Sequence, residues 1–376
     1  MLSNEIREKF LRFFEKRGHR VVPSASLVPT DDPSVLFTTA GMQQFKSHFI
    51  GLRNAKDDFG SLNLTSSQKC VRTSDIEEVG DKSHLTFFEM LGNFSFDGYW
   101  KKEAIEYAYD LITKEIDLKI DYVSVFGGEG NVPEDTESAE IWRSIDPEIT
   151  IKKFGRSDNF WGPTGEEGPC GPTTEIYIDG IEIWNIVFNE YYQSQDKTLI
   201  PLKTKGVDTG MGLERLVKVV QKTETVFETD LFLPIVQVAN SRIVADHIRT
   251  SCFMITDGIT PSNTGRGYVL RRLLRRAYVK NKEINPIIDA IVNHPSYLGL
   301  YAFTPNTKEV VALELEKFQK TLDAGLKRIG KGEDPFILFT SYGLPLEIIE
   351  EVTSVDKEKF ERQMAEHKEK SGVWKE

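Results

Sequence analysis

The sequence predicts an α+β fold in which an antiparallel sheet flanked by helices is followed by a mostly helical region. Three observations predict it. Helix-period and strand-like segments are interspersed over the first 238 residues. The pair Asp179-Gly180 separates two strand-like segments, as in an antiparallel hairpin. Beyond residue 238, apolar residues recur at helical spacing.

Residue spacing indicates the elements of the first region. Segments 4–16 and 101–115 carry apolar residues at helical spacing, and Gly18 follows the first as a helix stop. Short strands are expected at 35–38 and 67–72. The segments on either side of Asp179-Gly180, 174–178 and 181–188, are expected to pair as a hairpin.

The second region is expected to consist of helices. Segments 243–255 and 269–279 have helical patterns. The segment 308–329 has one continuous apolar face, formed by Val311, Leu315, Phe318, Leu322 and Ile329. We therefore expect two domains, residues 1–238 and 239–376, and the chain is long enough for each to bury its own core.

Composition places the chain among ordinary globular proteins. No apolar run approaches the roughly 20 residues that span a bilayer, and the N-terminal residues do not form a secretory signal. Three widely separated cysteines, without C-x-x-C spacing, argue against a disulfide framework or a structural zinc site. We therefore expect a cytoplasmic protein that needs no zinc and does not associate with a membrane.

The run from Val207 to Arg215 has the composition of a ligand site. Gly210 and Gly212 allow a phosphate or small substrate to approach the backbone closely. Asp208 could hold an amino group, and the guanidinium of Arg215 could reach a phosphate. A tight packing turn is the alternative interpretation of this glycine spacing.

A basic segment lies between residues 265 and 282. The net charge of −11 argues against nucleic-acid binding by the chain as a whole, but local patches are independent of net charge. This segment has no acidic residue and could contact a phosphate backbone, or it could be a solvated helix face. Its seven basic residues are Arg266, Arg271, Arg272, Arg275, Arg276, Lys280 and Lys282.

Several blocks of sequence together closely resemble one family. They lie in the same order along the chain and comprise residues 26–29, 68–72, 85–96, 158–175 and 182–185. These blocks resemble the catalytic domain of the alanyl-tRNA synthetases, which are class II aminoacyl-tRNA synthetases. The resemblance runs from about Ile6 to Arg276 and returns at 341–345.

The resemblance implies a two-step reaction with ATP, Mg²⁺, alanine and the acceptor stem of tRNA(Ala). Alanine is first joined to AMP and then transferred to the terminal ribose, so positioning and charge neutralisation are the main tasks of the protein. Arg72 would bind the α-phosphate and the alanine carboxylate; an ion pair with Asp75 or Glu77 is its alternative role. The residues implied in catalysis are Arg72, Asp208 and Arg215.

The resemblance also implies an ATP site. Phe88 would stack on adenine, although an aromatic residue here could instead belong to the core. Met90 shares its strand face. Arg215 would close the other side of the base or hold the distal phosphates, and Gly212 would allow close approach.

An alanine pocket follows from the same resemblance, and its residues are Arg72, Trp161, Asn185, Val207, Asp208 and Gly210. Trp161 and Val207 would limit the volume of the pocket. Asp208 would pair with the ammonium group, and Asn185 would donate a hydrogen bond to the carbonyl oxygen. Glu175 and Glu182 are the implied Mg²⁺ ligands.

The chain departs from the family pattern at two places. The Gly-Gly-Lys-His insertion that often follows the Arg72 position is absent, so the usual lysine has no counterpart unless Lys69 or Lys82 replaces it. The family reads a G·U pair in the acceptor stem with an asparagine and an aspartate; Asn263 matches the first, but Thr340 stands at the second. The implied tRNA contacts are Asn263, Arg266, Arg271, Arg272, Arg275 and Thr340.

The editing and C-terminal domains that usually follow in this family have no counterpart in the sequence. We therefore expect a minimal or truncated, monomeric alanine–tRNA ligase that mischarges serine or glycine detectably. Two alternatives are a paralogue that activates an amino acid for another acceptor and a protein that merely binds tRNA.

Overall fold

In the computed structural model, the described residues are 1–30, 32, 35–163, 165–344 and 346–371. Thr164 and Pro345, which belong to the family-like blocks, and the last five residues of the expected second domain lie outside them. The chain divides into two compact units, Met1–Leu233 and Pro234–Glu376, whereas the sequence places the boundary at 238. No helix in the described ranges is long and apolar enough to cross a bilayer.

The first unit is built on a mostly antiparallel sheet, which confirms the expected α+β class. Within the described residues, its strands lie in the order β1-β2-β3-β9-β8-β7-β4-β5, and β6 pairs with β7. Only the β1–β2 and β4–β5 pairs of this sheet are parallel. The strands are β1 Arg20–Val21, β2 Asn63–Val71, β3 Phe87–Phe96, β4 Tyr122–Phe126, β5 Ile151–Phe154, β6 Phe160–Trp161, β7 Gly168–Ile178, β8 Ile181–Gln193 and β9 Leu199–Gly212.

Seven helices of the first unit accompany the sheet in the described part of the chain. They are α1 Ser3–Glu15, α2 Lys46–Phe49, α3 Ala55–Phe59, α4 Lys101–Asp110, α5 Thr136–Ile145, α6 Arg156–Asn159 and α7 Leu213–Gln221. The segment expected as one helix at 101–115 is α4 followed by a π-helical turn, Leu111–Glu115. Short 3₁₀ turns lie at Gly41–Phe45, Ser74–Glu77 and Val226–Glu228.

Helix α1 anchors the sheet because its apolar stripe is buried, as its spacing predicts. Phe10 and Phe14 have no exposed surface, and both rings pack on Trp184 of β8. Burying each such ring contributes about 1.5–3 kcal/mol. On the same helix, Arg7 forms a buried ion pair with Glu89 of β3. The helix is therefore fixed both to the centre of the sheet and to the strand that carries Phe88.

The β7–β8 hairpin is confirmed, and a register shift between Ile176 and Tyr177 separates its turn from the rest of the ladder. Asp179 and Gly180 both have positive φ, 53° and 72°, as a two-residue type I′ turn requires. The ladder that follows places Glu175 opposite Asn185. Two residues known only from separate sequence blocks are thus brought side by side.

The strand expected at 35–38 is wrong. In this segment the backbone of Thr38 donates to Leu27 and accepts from Val71. Two bonds at one residue do not make a ladder, so the segment stays irregular. The strand expected at 67–72 lies in β2, which ends at Val71.

The second unit is helical, as expected. Helix α8, Leu233–Ala239, begins at the unit boundary. The other helices are α9 Arg242–Thr256, α10 Gly265–Lys280, α11 Asn285–Val292, α12 Thr307–Ile329, α13 Pro335–Thr340, α14 Leu346–Val352 and α15 Lys357–Ser371. Helix α10 buries Leu270, Leu273, Leu274 and Ala277, so its arginines lie on the remaining faces.

Candidate active site

A cleft of about 950 Å³, including its open mouth, lies on one face of the sheet in the first unit. Three adjacent strands form its floor, because side chains of alternate residues point to the same face. We call it the central cleft. Its floor residues are Phe88 and Met90 on β3, Asp208, Gly210 and Gly212 on β9, and Asn185 and Val187 on β8.

Most of the residues expected at the active site line the central cleft. Those from the catalytic, ATP and alanine sets that do so are Arg72, Phe88, Met90, Trp161, Asn185, Asp208, Gly210, Gly212 and Arg215. The strand–helix junction at the end of β9 brings Asp208 and Arg215 to one cavity. Arg72 directly follows the end of β2, so the three residues implied in catalysis come from two separate sequence blocks.

Asp208 is a buried acid without a partner. It is 5% exposed, and burial raises the pKa of its carboxyl to about 8. Within the described residues, its carboxylate accepts no hydrogen bond and forms no ion pair. Burying an unpaired charge is costly, so a charged Asp208 requires a cation from outside the protein.

Arg72 lines the cleft and has no carboxylate partner in the part of the chain that the structure describes. Its Nε donates to the carbonyl of Thr39 at 3.3 Å, and its guanidinium lies 5.1 Å from the centre of the Phe88 ring. The alternative ion pair with Asp75 or Glu77 is not formed among the described residues. The guanidinium therefore keeps donors for an anion.

Arg215 and Glu182 form an ion pair at the rim of the cleft. The Arg215 Nη1 atom lies 2.9 Å from Glu182 Oε2 and 3.2 Å from the Glu182 carbonyl oxygen. Each side chain is one-third exposed, so solvent weakens the pair. An anionic ligand can compete for this arginine at low cost.

Gly210 lets Met90 fill the floor of the cleft. A Cβ at Gly210 would lie 2.8 Å from the Met90 sulfur, and the backbone N–H of Gly41 is 3.1 Å from that same sulfur. A side chain at Gly210 would therefore displace Met90. This close approach explains why the β9 strand carries glycine at this position.

The side-chain amide of Asn185 already has a protein partner. Its Nδ2 donates to Glu175 Oε1 at 3.0 Å, and its Oδ1 is buried without a partner in the described structure. The expected donation to a substrate carbonyl therefore does not fit this orientation. In this arrangement Asn185 offers an acceptor.

Glu175 stands behind Asn185 and does not line the cleft. Its carboxylate also accepts hydrogen bonds from Tyr177 and Ser124, at 2.7 and 3.2 Å. Burial, with the nearby charge of Glu182, raises its pKa to about 7. The expectation that Glu175 binds Mg²⁺ does not fit, because its oxygens face protein donors. No cluster of three metal-binding side chains occurs in the described ranges.

The prediction that Val207 limits the volume of the alanine pocket is wrong. It precedes Asp208 on β9, so its side chain points to the opposite face and is fully buried there. Val187 lines the cleft instead, because the β8–β9 register sets it opposite Asp208. Trp161 lines the cleft as expected, so Trp161 and Val187 are its apolar walls.

The loop between β2 and β3 contributes residues that sequence reasoning missed. Ser83 and His84 line the cleft, whereas Lys69 and Lys82, the expected replacements for the family lysine, do not. His84 Nδ1 lies 2.6 Å from Asp81, and His84 Nε2 lies 3.1 Å from Glu78. The sequence could have indicated these residues through chain connectivity, because this loop joins the strand ends that carry Arg72 and Phe88.

The residues expected to contact tRNA lie in the second unit. Arg271 and Arg275 of α10 both bind Glu314 of α12, so neither is a free cation. Arg271 also donates to Asn263 Oδ1. Arg266 and Arg272 are half-buried on the same helix and have partners of their own.

Asn263 and Thr340 expose opposite hydrogen-bonding groups. Arginine only donates, so Asn263 must turn Oδ1 towards Arg271 and keep Nδ2 as its outward donor. The Thr340 hydroxyl donates to the carbonyl of Phe336 at 2.7 Å, which leaves its oxygen as an acceptor. Base edges in a shallow RNA minor groove offer both complementary groups.

Comparison with known proteins adds a family to this geometry. The family model described as tRNA synthetases class II (A) matches residues 5–376. The chain is 39% identical to an alanine–tRNA ligase of Rubrobacter xylanophilus, over 99% of this chain and 50% of that protein. It is 41% identical to one of Thermotoga maritima, over 99% of this chain and 49% of that protein.

The chain spans about half the length of these two curated relatives. The first alignment extends over 442 residues, against 376 in this chain, so the relative contains segments that this chain lacks even within the matched half. A shorter relative, from Borrelia hermsii, is 37% identical over 99% of this chain and 73% of its own length.

Proposed function

The chain belongs to the class II tRNA synthetases, and we propose that it is an alanine–tRNA ligase. It would join alanine to AMP at the expense of ATP and transfer the alanyl group to the 3′ end of tRNA(Ala). The support is a cleft that joins an acid for an ammonium group to two arginines for anions, together with its similarity to alanine–tRNA ligases.

The observation that carries the proposal is the unpartnered Asp208 carboxylate. Because the carboxylate is buried, hydration alone does not stabilise its negative charge, and an ammonium group would supply the missing partner. Asn185 Oδ1, on the neighbouring strand and the same face, is a second acceptor for that group. Trp161 and Val187 also line this cleft and would limit the size of the side chain that it accepts, which favours a small amino acid such as alanine.

Arg72 would act on the first chemical step. A carboxylate oxygen of alanine forms a bond to the α-phosphorus of ATP while the bond to pyrophosphate breaks. Negative charge accumulates on the phosphorus oxygens, and a planar guanidinium can bind both the carboxylate and that phosphate. Phe88 and Arg215 line the cleft where adenine and the distal phosphates would extend.

Mg²⁺ would neutralise phosphate charge when it binds with ATP. Magnesium usually takes one or two protein carboxylates together with phosphate oxygens and water. Glu182 fits this role, since it lies at the rim beside Arg215 and is one-third exposed. Glu175 does not fit, for the reasons of orientation given above.

In the second step, a ribose hydroxyl of the tRNA attacks the alanyl carbonyl carbon, and AMP leaves with the electron pair of the broken bond. The second unit would hold the acceptor stem with the outward donor of Asn263 and the acceptor of Thr340. Threonine adds no negative charge here, so discrimination of a G·U pair would rest on hydrogen bonds alone.

The test is alanine-dependent ATP–pyrophosphate exchange followed by charging of a tRNA(Ala) transcript. Asp208→Asn should reduce kcat/KM for alanine by about 30-fold or more, since losing one partner of a buried charge pair costs about 2 kcal/mol or more. Asp289→Asn, at an exposed ion pair, is the matched control and should change nothing.

The outcomes separate the alternatives. Exchange without charging of any tRNA would favour a paralogue that activates alanine for another acceptor. Absence of exchange, with tRNA still bound, would favour a tRNA-binding protein. Exchange that responds to a different amino acid and not to alanine would overturn the proposed substrate.

A further inference from the structure

One buried carboxylate in the second unit holds two arginines. Glu314 of α12 receives the Nε atoms of Arg271 and Arg275, both at 2.9 Å from the same oxygen, and Arg275 Nη2 at 2.8 Å. Arg271 and Arg275 are four residues apart on α10, so both reach across the same helix interface. We call these three residues the Glu314 clamp.

The clamp is buried deeply enough to be well ordered. The Glu314 side chain is 5% exposed, and those of Arg275 and Arg271 are 11% and 23% exposed. The Arg275 guanidinium also lies 4.8 Å from the centre of the Phe318 ring, one turn further along α12. One carboxylate between two guanidinium groups leaves one positive charge in excess at this surface.

Each arginine of the clamp reaches a different loop. Arg271 donates to Asn263, which lies before α10. Arg275 Nη1 donates to the carbonyl of Gly343 at 3.1 Å, three residues beyond Thr340. The clamp therefore connects the loop and the turn that carry the two proposed base-reading groups.

We propose that Glu314 is a positioning residue for recognition of a double-stranded RNA end. Through the two arginines it fixes the amide orientation of Asn263 and the position of the turn after Thr340, so that a donor and an acceptor face one minor groove. This inference rests on the proposed function and adds a residue that does not itself touch the RNA. The excess positive charge of the clamp favours the neighbouring phosphates.

The direct test is Glu314→Gln in the full chain. Gln accepts fewer charge-assisted bonds and cannot hold both guanidinium groups. We expect KM for a tRNA(Ala) transcript to rise about tenfold, and the preference for G·U over G·C transcripts to narrow by a similar factor. Alanine-dependent ATP–pyrophosphate exchange should stay within about twofold. The matched control is Glu316→Gln, on the same helix but at an exposed pair with Lys320.

A second pair of variants keeps the test valid if the first destabilises the unit. A Cβ at Gly343 would lie 2.7 Å from Arg275 Nη1, whereas a Cβ at Gly332 meets open space. Both glycines have positive φ, 66° and 79°, so alanine strains the backbone at both. Gly343→Ala should reproduce the tRNA defect, and Gly332→Ala should not.

Unchanged tRNA KM and unchanged G·U preference in Glu314→Gln would overturn the proposal. So would an equal loss of exchange and charging in both Glu314→Gln and Gly343→Ala, because that pattern indicates a purely structural ion pair. Failure of the unmodified protein to charge any tRNA would instead reject the proposed function.

Discussion

Asn185 donates its side-chain amide to Glu175 in a 3.0 Å hydrogen bond that fixes the orientation of the Asn185 amide. The two residues are direct neighbours across the β7–β8 ladder. Because Nδ2 is used in this bond, Asn185 Oδ1 is the side-chain atom left without a partner in the described structure. Glu175 would thus act on the proposed alanine site through Asn185, without contacting the ligand itself.

Glu175→Gln is expected to reverse that orientation. The Gln amide can accept from Tyr177 and donate to Asn185 Oδ1, which turns Nδ2 towards the proposed ammonium site. We expect KM for alanine to rise about tenfold, the effect of losing one hydrogen bond to a charged group, with KM for ATP unchanged. Tyr177→Phe, which keeps the Glu175 charge, is the control. Equal alanine KM in Glu175→Gln and the unmodified protein would contradict this account.

Asp208 predicts the pH dependence of alanine use. Its pKa is raised to about 8 by burial, so the free protein holds Asp208 protonated below that pH. Only the charged form pairs with an ammonium group. We expect kcat/KM for alanine to fall by about tenfold for each pH unit below 8, and to level off above it. A profile that is flat between pH 6 and 8 would contradict the assignment.

The raised pKa of Asp208 also predicts that the free energy of unfolding falls as pH rises, whereas alanine use increases. The folded protein holds the Asp208 proton up to about pH 8, whereas the unfolded chain releases it near its ordinary value of 3.8. The folded state therefore binds more protons between these limits, and Asp208 lowers the free energy of unfolding as pH rises through that window. Asp208→Asn should raise Tm at pH 8 relative to the unmodified protein, while it reduces kcat/KM for alanine as proposed above. A lower Tm would show that Asp208 has a stabilising partner.

Among the residues expected at the alanine and ATP sites, the sequence predicted correctly which line the cleft where they share one strand or follow a strand–helix junction. Asp208, Gly210 and Arg215 belong to one such run, and all three line the cleft. Strand alternation was already available from the sequence, and it excludes Val207 once Asp208 is placed in the cleft.

Contacts that depend on strand register could not be predicted from the sequence. The Glu175–Asn185 pair and the placement of Val187 opposite Asp208 follow from hairpin and sheet pairing, which spacing along the chain does not determine. The ion-pair partners of the α10 arginines could not be predicted either. The basic run does not indicate that Glu314, more than 30 residues away, binds two of these arginines.

The correction at Val187 can be tested by substrate size. Val187→Ala enlarges the cleft beside Asp208. Activation of serine and of α-aminobutyrate should therefore rise relative to activation of alanine by about 10-fold, the discrimination that one methylene group typically provides. Val207→Ala removes the same atoms from the buried opposite face and should lower Tm without changing that ratio. Exchange assays with the three amino acids measure both variants. A changed ratio in Val207→Ala alone would restore the sequence-based assignment.

Glu182 pairs with Arg215 and is also the proposed Mg²⁺ ligand, and substitution of Glu182 distinguishes these two roles. In the ligand-free protein it holds Arg215 at 2.9 Å, and we propose that it also binds Mg²⁺ with ATP. Glu182→Gln releases Arg215, which alone would lower KM for ATP. If Glu182 also binds the metal, the Mg²⁺ concentration for half-maximal exchange should rise at least about tenfold, since changing even a residue that supports a metal ligand costs that much. Glu190→Gln, whose carboxylate pairs with Lys101 and Lys205 and does not line the cleft, is the control. A lower KM for ATP with an unchanged Mg²⁺ requirement would show that Glu182 only restrains Arg215.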